Sequence, residues 1–314
     1  MNNKLADICD QLSIQFKRDR YRSRAYKNAA FALRNHPTQI ISGIQAEREI
    51  KGIGKSIAAK IDEIIQTGAL ALIADRPPEE KIKEDVTKLF EGIHGVGNAT
   101  SEKWYNQGYR TLGDIGKIYD QLTDAQKIGY KYYYHFQQRI PRSEMDIVKD
   151  ILHTILGTEM GTEYEICGSY RRGEKDSGDI DCLVKDNGTI TIEKIINKLV
   201  EQKIIIENLA IGTSKYMGVL QLKNSCARRI DILIVDKKSW PYATLYFTGS
   251  KQLNIVMRAK AIALGLRLNE YGMVNSEGVE LGDSKSYPAT SEEQIFNYLN
   301  VGYLEPHQRS IGSK

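Results

Sequence analysis

Residues 168–181 read GSYRRGEKDSGDID, and residues 228–235 read RRIDILIV. If each stretch is extended, Asp179 and Asp181 project from one face while Ile180, Cys182 and Val184 project from the other. In the second stretch Arg229, Asp231 and Leu233 share a face opposite Ile230, Ile232 and Ile234. A sheet built from these strands has a core side and an acid side, and pairing them gathers three carboxylates. Carboxylates that close raise one another's pKa and cannot all stay ionised without compensating cations.

Divalent metals meet that demand. Oxygen-only ligands favour Mg2+, with Mn2+ able to substitute, and the rest of the shell comes from water and phosphate oxygens. Two such ions, about 3.5 to 4 Å apart, would activate a 3'-hydroxyl on one side and steady a leaving pyrophosphate on the other. The neighbouring residues suit a triphosphate: Gly168-Ser169 and Ser177-Gly178 supply N–H and hydroxyl donors, and Arg172 supplies a guanidinium fork. A solitary DxD most often marks a solvated turn; the whole string argues for chemistry.

Working outward, β-type runs appear from about Glu163 as YEICGSY, DIDCLV, YMGVLQL and RRIDILIVD, with a helical interval over 191–202. After Trp240 the chain returns to a helix over 251–264 and then to short polar strands and turns. The first third reads as helical, with Ile57, Ile61, Ile64 and Ile65 lining one side of a helix. Asp75-Arg76-Pro77-Pro78 breaks it, and 79–139 is helical again. The expected fold is α+β and multidomain, with boundaries near 76, 139 and 237.

The 314 residues are 41% hydrophobic and 27% charged, which fits a globular protein and excludes a disordered or membrane class. No apolar run reaches the ~18 residues of a membrane span, and the N-terminus lacks a signal peptide's apolar core, so a soluble intracellular protein is expected. Cys9, Cys167, Cys182 and Cys226 lack the close spacing of zinc sites and read as reduced core thiols. The net charge of +4 is uneven: Lys17, Arg18, Arg20, Arg22, Arg24 and Lys27 crowd together against Asp19 alone. That stretch is either a solvated helix surface or a phosphate-binding face.

An internal repeat lies in the helical part. IKGIGKSIAAK at 50–60 and IHGVGNATSEK at 93–103 share the form apolar-x-Gly-apolar-Gly followed by a helix. In each copy the glycines, Gly52 with Gly54 and Gly95 with Gly97, allow a tight turn with N–H groups exposed at a helix start, a natural phosphate site that reads no base. A lone GxG usually marks an ordinary helix–helix turn, but two copies favour phosphate binding. They resemble the helix-hairpin-helix motif of DNA-binding proteins, in which turn carbonyls also hold Na+ or K+; here those carbonyls would come from Ile50, Ile53, Ile93 and Val96. Lys60 lies at the border of the apolar face that carries Ile57 and Ile64, where partial desolvation would favour a nucleophilic amine; spacing alone reads it as a snorkelling surface lysine.

With these residues assembled, the chain resembles the family X DNA polymerases, and the polymerase beta type in particular, over nearly its whole length and in collinear order. The resemblance implies that Asp179 and Asp181 hold both divalent ions, that Asp231 is a ligand and the base for the primer hydroxyl, and that Arg229 positions Asp231. It implies that Ser169, Arg172, Ser177, Gly178 and Arg139 bind the triphosphate. YFTGSKQLNIVMR at 246–258 implies that Tyr246 and Phe247 sit under the deoxyribose, that Gly249 permits a bend with a cis peptide, and that Asn254 and Arg258 contact the incoming base and the template strand. NEYGM from Asn269 and YLEP near Tyr303 also fit.

By the same resemblance the four regions are a 5'-phosphate and deoxyribose phosphate lyase-like domain (1–76), a DNA-binding subdomain (77–139), a nucleotidyltransferase palm with a mixed sheet (140–237) and a small α/β subdomain selecting the dNTP (238–314). Lys60 aligns with the family's Schiff-base lysine. Ser56 stands where polymerase beta has a phosphate-binding lysine, with Lys55 as a substitute, and Tyr21 and Arg22 replace a His-Lys pair, so phosphate contact falls to Arg22 and Lys27. The expected partners are gapped or nicked duplex DNA with a 5'-phosphate and dNTPs, with no membrane and a monomeric chain. Two rival readings are a template-independent or other nucleotidyltransferase on the same palm, and a catalytically silent gap-binding protein.

Overall fold

The computed structural model describes residues 1–16, 19–74, 78–275 and 286–310. It resolves into two compact units, Met1–Asp85 and Val86–Lys314. The expected break at 75–77 lies outside the described residues, as do Lys17 and Arg18 of the basic stretch.

The first unit is helical. Its helices Asn2–Gln15, Arg20–Arg34, Gly43–Glu49 and Lys55–Thr67 enclose a core of Leu5, Leu12, Leu33, Ile40, Ile57, Ile61 and Ile64. Helix Lys55–Thr67 shows how sequence sets local structure. Ile57, Ala58, Ile61 and Ile64 recur at helical spacing and are buried, Gly54 opens the helix in an extended conformation, and Gly68 closes it in the left-handed region at φ 78°.

The second unit centres on a five-stranded mixed sheet. Its order is Tyr164–Ile166, Ile180–Lys185, Arg228–Val235, Lys215–Leu220 and Ile205–Ile211. The second and third strands in that order run parallel, and every other neighbour is antiparallel. Ile180, Cys182, Val184, Ile230 and Ile232 point to one face and pack with residues of helices Arg142–Leu152 and Ile192–Glu201. This is the core side that the alternation predicts. The opposite face is only partly acidic, because Leu183 is buried there with Cys167, Val235 and Ala243.

Four elements differ from the expectation. Within YEICGSY only Tyr164–Ile166 is a strand and Gly168–Arg171 is a short helix, and helix Glu292–Tyr298 lies where only short strands and turns are expected. Ile205–Ile211 is a strand, although IIENLAI shows no clean alternation. It is an edge strand with register shifts at Ile205/Glu207 and Asn208/Ala210, so its side chains do not keep a period of two. Trp240–Thr248 is a helix preceding the expected one, which runs Lys251–Ala263. It is buried along much of its length and carries almost no polar face, so periodicity could not reveal it. Both helices share a core with the hairpin Leu266–Leu268 and Met273–Asn275 and with helix Glu292–Tyr298. Cys9, Cys167 and Cys182 are buried free thiols, whereas Cys226 is half-exposed, with its thiol against Gln138.

Candidate active site and nucleic-acid contacts

The parallel strand pair sets the acidic cluster. Its register places Asp181 opposite Asp231, so both carboxylates leave the sheet on one face. Asp179 precedes the strand Ile180–Lys185, in the bend that follows the short strand Asp176–Ser177. Burial first, then the charges of Asp179 and Asp231, push the Asp181 carboxyl up to about 7. Burial also raises Asp231, against the opposing influence of Lys215 and Arg229.

The cluster is partly neutralised from within the chain. Arg229 donates through Nη2 to Asp179 Oδ2, and Lys215 Nζ lies 3.7 Å from Asp231 Oδ2. The Arg229 hydrogen bond thus goes to Asp179, whereas the family resemblance has that residue positioning Asp231. Among the described residues no three donors already stand in metal-holding geometry, which agrees with two of the three carboxylates being turned onto cationic side chains. The donor set itself, three carboxylates gathered at one face with the Asp181 and Asp231 carboxyls raised, suits hard divalent cations. Lys215 was not anticipated. Its place on the acidic face follows from the pairing of Met217, two residues on, with Asp231, which the fold supplies and sequence spacing does not.

Beside the carboxylates lies a cavity of about 540 Å³ lined by Asp179, Asp181, Gly168, Ser169, Gly178, Arg139 and Arg172 on one side and by Tyr246, Phe247, Gly249, Lys251, Asn254 and Arg258 on the other. Gly168 begins a short helical turn at φ 60°, and a Cβ there would stand 2.9 Å from Asp181 Oδ2. Only glycine combines that backbone conformation with that approach. The two arginines of the motif part company: Arg172 donates to the Thr248 carbonyl at 2.7 Å on the cavity side, whereas Arg171 forms a bidentate pair with Glu292. Arg139 is brought in by the short pairing of Ile140–Pro141 with Asp176–Ser177 and donates to Asp176. Ser177 differs from expectation. Its side chain is buried, accepts from the Ser169 hydroxyl at 2.9 Å, and does not line the cavity.

The far wall brings Tyr246, Phe247, Asn254 and Arg258 together. The Tyr246 and Phe247 rings meet edge to face, the Arg258 guanidinium lies 5.1 Å from the Tyr246 ring centre, and Asn254 donates to the Tyr246 carbonyl at 2.7 Å. The Gly249–Ser250 peptide is cis, as the resemblance implies. Arg171 donates to the Thr248 hydroxyl while gripping Glu292, which also accepts from Arg309, a side chain with no exposed surface. A buried ion network thereby anchors the bend at residues 248–250.

The two glycine hairpins have nearly the same backbone. Gly52 and Gly95 have φ 100° and 84°, Gly54 and Gly97 have φ/ψ −99°/177° and −101°/177°, and the turns close through Ile53 N–H to Ile50 C=O and Val96 N–H to Ile93 C=O. Gly52 and Gly95 need the left-handed region; Gly54 and Gly97 do not, and a Cβ at either would touch nothing within 4 Å. Their bareness leaves room for a ligand outside the chain. As N-caps without side chains, they also leave the first N–H groups of the following helices free of side-chain caps.

Lys60 is half-exposed, and its Nζ donates to the Ser56 carbonyl and hydroxyl at 3.1 and 3.2 Å. Lys55 and Lys27 are exposed, as is Arg22, which pairs with Asp19, the cap of helix Arg20–Arg34. In the second hairpin, His94 Nδ1 lies 3.4 Å from Arg229 Nη1. Burial and that guanidinium lower the imidazole's pKa. No motif drew attention to His94, because its partner is 135 residues away.

Comparison with known proteins gives four family matches in collinear order: a helix-hairpin-helix domain over residues 1–70, the fingers domain of DNA polymerase lambda over 88–137, the DNA polymerase beta palm over 139–237 and the DNA polymerase beta thumb over 243–310. The chain is 32% identical over 311 residues to DNA polymerase lambda of Rattus norvegicus, covering 93% of this chain and 53% of that protein. It is 31% identical over 313 residues to DNA polymerase lambda of Arabidopsis thaliana, covering 92% and 58%. DNA nucleotidylexotransferase of Xenopus laevis is 25% identical over 357 residues, covering 98% and 68%. The chain spans a little over half the length of the two polymerase lambda relatives. Among the described residues, no helix is long and apolar enough to cross a membrane.

Proposed function

The chain belongs to family X of the DNA polymerases, and we propose that it fills short gaps in duplex DNA by template-directed transfer of a nucleotide from a dNTP to a primer 3'-hydroxyl. The observation that carries this reading is the register of Asp181 with Asp231, with Asp179 alongside, at the edge of a cavity walled by Arg172 and Tyr246.

In this reading Asp179, Asp181 and Asp231 would hold two divalent ions, Mg2+ or Mn2+, which would lower the barrier to deprotonating the primer hydroxyl and neutralise the pyrophosphate that leaves as the bond from the 3'-oxygen to the α-phosphorus forms. Asp231 accepts that proton. Arg172, Arg139, Ser169 and the backbone at Gly178 take the β- and γ-phosphates, where guanidinium forks suit phosphate oxygens. Ser177 acts indirectly, by fixing the Ser169 hydroxyl. Tyr246 and Phe247 floor the deoxyribose, so that a 2'-hydroxyl meets the backbone at Tyr246. Asn254 is held by that same carbonyl and reaches the base from the minor-groove side, with Arg258 toward the template.

The two hairpins grip DNA phosphates without reading sequence, helped by Na+ or K+ on the carbonyls of Ile50, Ile53, Ile93 and Val96. Arg22, Lys27 and Lys55 serve a gap's 5'-phosphate, and Lys60 serves a deoxyribose phosphate lyase step through a Schiff base. The four regions 1–76, 77–139, 140–237 and 238–314 divide this work, and the chain acts as a monomer. Extension across a one-nucleotide gap, with and without a templating base, tests the proposal. Templated addition should exceed untemplated addition by at least about 100-fold, a step of about 2.7 kcal/mol in transition-state stabilisation. Equal rates would favour the rival reading of a template-independent nucleotidyltransferase on the same palm.

A further inference from the structure

Arg229 sits between two sites that the proposed function treats separately. One end of its guanidinium, Nη2, is on Asp179 in the acidic cluster; the other, Nη1, is 3.4 Å from His94 Nδ1 in the second glycine hairpin. Arginine has only donors, so Nδ1 must be the accepting nitrogen and the imidazole must be in its Nε2–H form. Beside this contact lies a cavity of about 370 Å³ whose walls include His94, Gly95, Val96, Gln137 and Arg229 itself. It opens at the same hairpin whose bare Gly97 leaves space for a phosphate.

The electrostatics of these contacts oppose one another. A divalent ion on Asp179 competes with Arg229 for the same carboxylate oxygens and repels the guanidinium, so the arginine must give way when the ion binds. The cavity beside His94 offers it a place with a neutral acceptor. A DNA backbone phosphate on the hairpin adds an anion there and draws the guanidinium in the same direction.

We propose that His94 is a positioning residue that holds Arg229 within reach of both sites, so that a strand phosphate on the second hairpin and a divalent cation on Asp179 favour each other's binding. This rests on the reading of the acidic cluster as a divalent-ion site. The coupling is reciprocal: if DNA tightens the ion, the ion tightens DNA by the same factor. The hairpin thereby reports strand occupancy to the reacting centre before any nucleotide enters.

The test measures DNA affinity rather than turnover. Fluorescence anisotropy of a labelled recessed-end duplex is titrated with the full chain, without dNTP, at fixed ionic strength, with and without Mn2+. Wild type should tighten by about 5- to 10-fold on adding Mn2+, within the usual range for coupled sites. His94→Ala should leave less than about a twofold effect, and His94→Gln, which restores a side-chain acceptor, should recover most of it. Equal coupling in His94→Ala and wild type, or none in wild type, would overturn the inference. Mn2+ binding by the free protein, followed by electron paramagnetic resonance, separates the two failures: ion binding equal in wild type and Asp181→Asn refutes the acidic-cluster reading itself. A thermal melt of each variant guards against misfolding.

Discussion

Asp181 and Asp231 are register partners on adjacent parallel strands, and burial raises the pKa of both carboxyls, with Asp181 reaching about 7. A fold that places like charges opposite each other in a half-buried position sacrifices stability for a site that only cations satisfy.

Removing one carboxylate should separate chemistry from binding. Asp231→Ala is expected to lower templated extension by at least about 1000-fold, equivalent to roughly 4 kcal/mol. Affinity for a gapped duplex, measured in chelator so that ion coupling is absent, should stay within about threefold, because the phosphate contacts are assigned elsewhere. Single-turnover extension and anisotropy decide; equal losses in both would refute the division of labour.

The metal-free protein should lose stability as pH rises. The folded Asp181 carboxyl titrates near 7 against an ordinary value of 3.8, so the folded chain holds the extra proton between those values. Its stabilising contribution is complete below about pH 4 and is lost as pH climbs through about 7. Thermal melts in chelator should therefore fall from pH 5 to pH 8, and Asp181→Asn should remove most of that slope, worth about 2–4 kcal/mol. Wild type and variant falling in parallel would show that another group is responsible.

Gly168→Ala places a methyl group 2.9 Å from Asp181 Oδ2 at a backbone φ of 60°. The conformation alone costs about 1 kcal/mol. Displacing the carboxylate should lower kcat by about 10- to 100-fold, since small misplacements at a reacting centre are expensive. Unchanged kcat in a folded variant would mean that Asp181 does not need that close approach.

Glu292 joins Arg171 and the fully buried Arg309. Glu292→Ala leaves the buried Arg309 guanidinium without its carboxylate and Arg171 with only Glu165 at 3.6 Å, and a loss of about 3–5 kcal/mol is expected in a denaturant melt. The dNTP KM should rise as well, because Arg171 also holds Thr248 beside the cavity. A loss below about 1 kcal/mol would mark the network as replaceable.

For the lyase step, borohydride trapping on an incised abasic site should depend on Lys60. Lys60→Ala should trap at under about a tenth of the wild-type yield if this amine is the nucleophile. Equal trapping would move the Schiff base to another amine.

The sequence alone determined what depends on local spacing. A period of two assigned Asp181 and Asp231 to one face and Ile180, Cys182, Ile230 and Ile232 to the core. A repeated Gly-x-Gly before a helix fixed two hairpins whose backbones agree to within a few degrees at Gly54 and Gly97. Edge strand Ile205–Ile211 and apolar helix Trp240–Thr248 escaped, because a bulged edge and an all-round apolar helix carry no usable period. Only the tertiary structure decided which cation meets which acid: Arg229 on Asp179 with its other end at His94, Lys215 toward Asp231, Arg171 turned to Glu292 while Arg172 faces the cavity, and Ser177 buried under Ser169. Those pairings join residues far apart in the chain. Hydrogen bonds and close ion pairs need their partners within a few ångströms, so such partners are chosen by strand order and packing, which spacing along the sequence does not encode.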